Sequence, residues 1–228
     1  MLLSAPVRTD GYQLGELNEW SKKTDTELAT RVPFIIRVPW ATASVGKSTP
    51  VKAELVDMYR TLVALSSLPA ADIEKDVQGT SLAPVFADPS GAMPTKQAFS
   101  QIGSCACEVY SVASRVPWPG SPLTHWSGKE CAAGRCIQTP LNQFDFMGYS
   151  VRDTSWRFTA WVPMVTNSTP ARVDWTREVL YELYDLHNDT GADFDFDGYS
   201  LNLASQPQHA SLIAAKSKEL EATVATWY

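Results

Sequence analysis

Phe146-Met147-Gly148-Tyr149-Ser150-Val151-Arg152 and Trp156-Arg157-Phe158-Thr159-Ala160-Trp161-Val162 are two β-favouring runs separated by Asp153-Thr154-Ser155. Both are rich in aromatic and β-branched residues. The short polar connection lets one run fold back on the other, so the pair predicts an antiparallel hairpin. Glu182-Leu183-Tyr184-Asp185-Leu186 predicts a third strand. The last element begins near Ser205-Gln206-Pro207 and sets Leu212, Ile213, Leu220 and Val224 on one helical face. A small antiparallel sheet covered by a C-terminal helix is the simplest assembly.

Upstream the pattern changes. Val32-Pro33-Phe34-Ile35-Ile36-Arg37-Val38-Pro39 is a nearly continuous apolar run bounded by prolines. Such a run reads as a strand buried on both faces of a mostly parallel sheet. Thr24 to Ala29 predicts a capped helical turn before it. Thr49-Pro50 supplies an N-cap and a first-turn proline after it. Leu55, Met58, Tyr59, Leu62 and Val63 then follow helical spacing to about Leu65. Strand followed by helix predicts the α/β class. The expected organisation is an α/β core remnant over residues 1–95 and an antiparallel subdomain over 96–228, with a long loop at 100–140. Gly79-Thr80-Ser81-Leu82-Ala83-Pro84-Val85-Phe86 predicts a turn leading into a short helix.

The 228 residues suffice for one sizeable core, and 44% hydrophobic with 19% charged residues is ordinary for a globular protein. A net charge of −6 argues against nucleic acid and anionic membranes as partners. No run approaches the roughly 18 apolar residues of a membrane span. Met1 to Pro6 has neither the charged nor the apolar region of a signal peptide.

Cys105, Cys107, Cys131 and Cys136 lie in the loop-rich stretch, where a local disulfide, free thiols or a zinc site are alternatives. Cys131 and Cys136 are the disulfide candidates. Asp193-Phe194-Asp195-Phe196-Asp197-Gly198 copies the opening of a calcium loop, but position twelve would be Ala204, so it reads as an acidic surface turn. His125, His187 and His209 are scattered and read as surface or loop histidines.

Four segments, in order, carry a family resemblance: Gly11-Tyr12-Gln13-Leu14-Gly15-Glu16-Leu17-Asn18-Glu19-Trp20-Ser21-Lys22; Ala29 to Pro39; Glu54 to Leu62 with Gly79 to Pro84; and Met147 to Trp161 with Glu182 to Leu186 and Asn202-Leu203. Together they resemble the C-terminal portion of sulfatases of the iduronate-2-sulfatase type. The resemblance implies an α/β sulfatase core sheet, seen in part, plus a small antiparallel subdomain. Such enzymes hydrolyse sulfate esters of sugars with a formylglycine nucleophile beside calcium, and they are lysosomal, secreted or periplasmic. Lys22 matches the family lysine that contacts the sulfate, and Tyr12 matches an aromatic position that lines the sugar pocket.

Departures from the family pattern are as informative. Family members read Asp-His-Gly where this chain has Thr9-Asp10-Gly11, and Leu17 replaces a usual histidine. Asp10 is therefore a displaced candidate metal ligand. Cys131-Ala132-Ala133-Gly134-Arg135 satisfies the formylglycine pattern but follows the metal segment instead of preceding it. The expectation is a sulfatase-like chain that is inactive alone. The alternatives are a non-catalytic binding module or a half-enzyme that needs a separate N-terminal portion.

Overall fold

The computed structural model describes residues 5, 10–14, 20–22, 24–66, 68–69, 74, 76–93, 95–104, 141–165, 167–189 and 201–227. Its elements are β1 (Gln13–Leu14), β2 (Trp20–Ser21), α1 (Glu27–Thr30), α2 (Asp57–Ser66), α3 (Ala83–Ala87), β3 (Ala98–Ser104), β4 (Phe146–Arg152), β5 (Trp156–Val165), β6 (Arg172–Val173), β7 (Leu180–Asp185) and α4 (Ala210–Val224). The fold is mixed α/β, with an antiparallel sheet ordered β3-β4-β5-β6 and β7 also pairing with β5.

β4 and β5 form the expected hairpin, with Arg152 opposite Arg157 and Ser150 opposite Thr159. The Asp153 carboxylate closes the turn by accepting the Ser155 and Trp156 N–H groups at 2.8 and 2.7 Å. Strand alternation sends Tyr149, Val151, Phe158, Ala160, Val162 and Leu183 to one face, where Ile213, Leu220 and Val224 of α4 cover them. Phe158, Leu183 and Leu220 are fully buried. Each such side chain contributes about 1.5–3 kcal/mol on leaving water. Lys216 of α4 also pairs with Asp153, which ties the helix to the hairpin turn.

Gly148 is required by a close approach. A Cβ there would lie 2.6 Å from the Trp161 ring, so the missing side chain makes room for the indole. On the N-terminal side, Asp57 holds α2 in place. Its fully buried carboxylate accepts the Glu54 and Thr80 N–H groups and pairs with Lys96 at 2.8 Å, while Glu54 accepts the Phe99 N–H of β3.

Three expectations need correction. Residues 32–39 are not a buried strand. Only single bridges form, at Phe34 and Arg37, and Ile35 is 60% exposed although Val38 is buried. Pro33 and Pro39 bring no N–H to a ladder, and no neighbouring strand lies alongside among the described residues. α2 begins at Asp57 and not at Thr49-Pro50, because Asp57 caps the preceding turn through Glu54. Its buried residues are Asp57 and Thr61, not the apolar set that spacing suggested. Finally, Ala98–Ser104 is a strand, so the first residues of the expected 100–140 loop belong to the sheet. Cys105, Cys107, His125, Cys131, Cys136 and Asp193 to Gly198 lie outside the described residues.

Candidate functional site

The three described site candidates meet at one corner. Gln13 pairs with Ser21 and Leu14 with Trp20, so continuing the ladder places Tyr12 across from Lys22. Lys22 Nζ donates to Asp10 Oδ2 at 2.7 Å. Both side chains are about half exposed, and Tyr12 is 61% exposed. The corner is anchored by the Gly11 N–H donating to the Ala29 carbonyl at 2.9 Å. A Cβ on Gly11 would lie 1.9 Å from the Leu28 carbonyl oxygen, so only glycine permits this path. An aromatic face, an ammonium and a carboxylate therefore share one accessible edge. They can bind an anionic group beside a ring, and they provide no nucleophile.

The sheet carries a second feature, which the sequence reading missed. The sheet face opposite α4 carries Ser150, Arg152, Arg157, Thr159 and Glu182, all buried. Arg152 and Arg157 stand directly opposite each other in register, an arrangement that like charges disfavour. Glu27 of α1 bridges them, with Oε1 3.4 Å from Arg152 and Oε2 3.2 Å from Arg157. Asp189 pairs with Arg152 at 3.0 Å and with Arg31 at 3.1 Å. Asp25 lies 3.6 Å from Arg157. Residues 25–27 are thus clamped to the sheet by buried charge. Lys52 sits beside this cluster, where burial and then Arg152 lower the pKa of its amine.

Glu182 completes the layer. Its carboxylate accepts Trp161 Nε1–H at 2.6 Å and Tyr184 O–H at 2.7 Å. Complete burial pushes its pKa above the usual carboxylate range, although both hydrogen bonds and Arg157 oppose the rise. A polar residue at every second strand position ordinarily signals a solvent face. The clue that this face is buried was the pair of arginines flanking the hairpin turn, matched by Asp25 and Glu27 upstream.

His187 and His209 converge on Trp156, with ring centroids 5.2 and 5.6 Å from it. His187 Nδ1 lies 2.6 Å from the Asp185 carboxylate on the surface. Partial desolvation works against ionisation of Asp185, but hydrogen bonds from His187 hold its pKa below the usual value. Trp161 is a sheet-packing residue.

Calcium takes six to eight oxygen ligands, mostly carboxylate and carbonyl. Among the described residues no group of three or more His, Cys, Asp or Glu side chains could hold a metal. Asp10 alone cannot, and its Oδ2 already meets an ammonium. The described residues do not fit the ion. No helix among them is long and apolar enough to cross a membrane.

No family model matches the chain. Iduronate 2-sulfatase of Mus musculus is 25% identical over 195 residues, a match to 67% of this chain and 30% of that protein. The Homo sapiens protein of that name is 25% identical over 183 residues, with the same shares. Among solved structures, phosphonate monoester hydrolase from Silicibacter pomeroyi superposes with a TM-score of 0.59 at 18% identity, over 97% of this chain and 34% of its own. A protein classed as a sulfatase, from Bacteroides thetaiotaomicron, gives 0.56 at 16% identity over 98% and 36%. The chain is similar in sequence to part of these iduronate 2-sulfatases and shares its fold with part of these solved hydrolase and sulfatase structures. It spans about a third of the length of the proteins it matches.

Proposed function

We propose that this chain is the sulfate-facing C-terminal portion of a sulfuric ester hydrolase of the iduronate-2-sulfatase kind, and that it is not catalytic alone. The observation that carries the reading is the convergence of Tyr12, Asp10 and Lys22 on one accessible corner, in a chain similar to iduronate 2-sulfatases. Lys22 would exchange its Asp10 contact for a sulfate oxygen and balance negative charge as the S–O bond breaks, an electrostatic contribution. Tyr12 would lie against the sugar ring. Glycosaminoglycan sugars, which are acidic and sulfated, are the substrate class this reading favours.

Calcium belongs to the family chemistry and would need ligands beyond the described ones. The Cys131 pattern is a poor nucleophile candidate, because its cysteine falls after the metal segment in chain order. A non-catalytic sugar-binding role is the second reading, favoured by the absence of any nucleophile from the corner. Titration with a sulfated monosaccharide, followed by amide chemical shifts, tests the contact. Shifts at Tyr12 and Lys22 that vanish in Lys22→Ala are expected. Shifts that persist unchanged in that variant would overturn the assignment.

A further inference from the structure

Exposure alternates along the segment that carries Tyr12. Tyr12 is 61% exposed, Gln13 is fully buried and Leu14 is 66% exposed. That is the pattern of a strand, in which side chains two positions apart share a face. Tyr12 and Leu14 therefore project together, about 6.6–6.8 Å apart along the chain. Directly paired residues of an antiparallel ladder also share a face, which adds Lys22 beside Tyr12. Asp10, two positions before Tyr12, reaches Lys22 at 2.7 Å and so borders the same face. Along this face the order is carboxylate, then aromatic ring with ammonium, then the branched apolar side chain of Leu14.

Each position restricts a ligand. Lys22 attracts one anionic group, and Tyr12 takes a ring beside it. Asp10 repels further negative charge on its own side. The remainder of a ligand held at Lys22 and Tyr12 thus runs the other way, over Leu14. The Leu14 side chain has no polar atom, so what it gains from a ligand is the covering of apolar surface. The C–H face of a pyranose ring supplies such surface.

We infer that Leu14 is a specificity-determining residue of the corner. It receives the C–H face of the sugar next to the one on Tyr12, so the site takes a sulfated disaccharide or longer chain in preference to a sulfated monosaccharide. The inference rests on the sulfate contact proposed above and adds the direction in which the substrate extends, from Lys22 towards Leu14.

The test titrates the chain with a sulfated glycosaminoglycan disaccharide and with the sulfated monosaccharide of its terminal unit, followed by amide chemical shifts. The disaccharide should bind about fivefold tighter, the gain from covering one exposed leucine. Leu14→Ala should bring the ratio of the two affinities close to one. Leu14→Met keeps a flexible apolar side chain of similar size and should retain the preference. Because Leu14 is exposed, the amide spectra of both variants should otherwise match that of the parent. Equal affinities in the parent, or a ratio that Leu14→Ala leaves unchanged, would overturn the proposal. Tighter binding of 4-nitrophenyl sulfate than of the disaccharide would make Leu14 the seat of an apolar leaving group and would overturn it too. Lys22→Ala separates this inference from the reading beneath it, since that variant should lose both sugars. A Leu14-dependent preference that survives Lys22→Ala contradicts the sulfate contact and leaves the Leu14 assignment standing. Lys22-dependent binding without a disaccharide preference does the reverse, and binding of neither sugar contradicts both.

Discussion

Replacing Glu27 by alanine removes the carboxylate that separates two facing guanidinium groups. Glu27 is 6% exposed at its side chain and contacts Arg152 at 3.4 Å and Arg157 at 3.2 Å. Without it Arg152 retains Asp189 at 3.0 Å, while Arg157 keeps the neutral Thr30 hydroxyl at 3.1 Å and a longer 3.6 Å approach to the Asp25 carboxylate. Removing one partner of a buried ion pair costs about 3–5 kcal/mol, because the remaining charge stays desolvated. For a chain of this size that lowers Tm by roughly 6–20 °C. Thermal unfolding monitored by circular dichroism measures it. A cycle with Arg157→Met apportions the effect, and the double variant should be less destabilised than the sum of the singles. A fall in Tm below about 2 °C for Glu27→Ala would refute the claim that this layer clamps the N-terminal segment to the sheet.

Glu182 gives a second test, through pH. Its folded pKa is raised, so its contribution is fully present below the ordinary carboxylate value of 4.5 and is lost as pH rises through the folded value. Glu182→Gln should gain stability over wild type as pH increases from 4.5, in paired melting curves. Asp153 behaves oppositely. Desolvation works against its ionisation, but Lys216 and two backbone N–H groups outweigh it and lower the pKa below 3.8. Its contribution is therefore present above that value and lost on acidification, so Asp153→Asn should flatten the acid side of the stability profile. Gly148→Ala forces a Cβ to within 2.6 Å of the Trp161 ring and should cost about 1–3 kcal/mol, read as a lower denaturant midpoint.

The hairpin and the C-terminal helix were legible because their signals are local. A three-residue polar turn between two β-favouring runs fixes pairing, and Ile213, Leu220 and Val224 follow helical spacing. Ala98 to Ser104 was not legible as a strand. Its sequence mixes Ser, Gln and Gly with only Phe99 and Ile102, and its pairing partner lies more than forty residues away. The start of α2 was misplaced because the buried Asp57 carboxylate, held by Thr80 and Lys96, decides it. The charged layer was hidden for the same reason: Glu27 and Arg157 are 130 residues apart in the chain. Tyr12 and Lys22 came from resemblance, whereas the Asp10–Lys22 contact emerges only from the fold.

The most direct measurement is turnover of 4-nitrophenyl sulfate by the purified chain with calcium, for wild type and Lys22→Ala. Neither protein should hydrolyse it above the uncatalysed rate. Metal-dependent hydrolysis that disappears in Lys22→Ala would contradict it and would make the chain a competent sulfatase by itself.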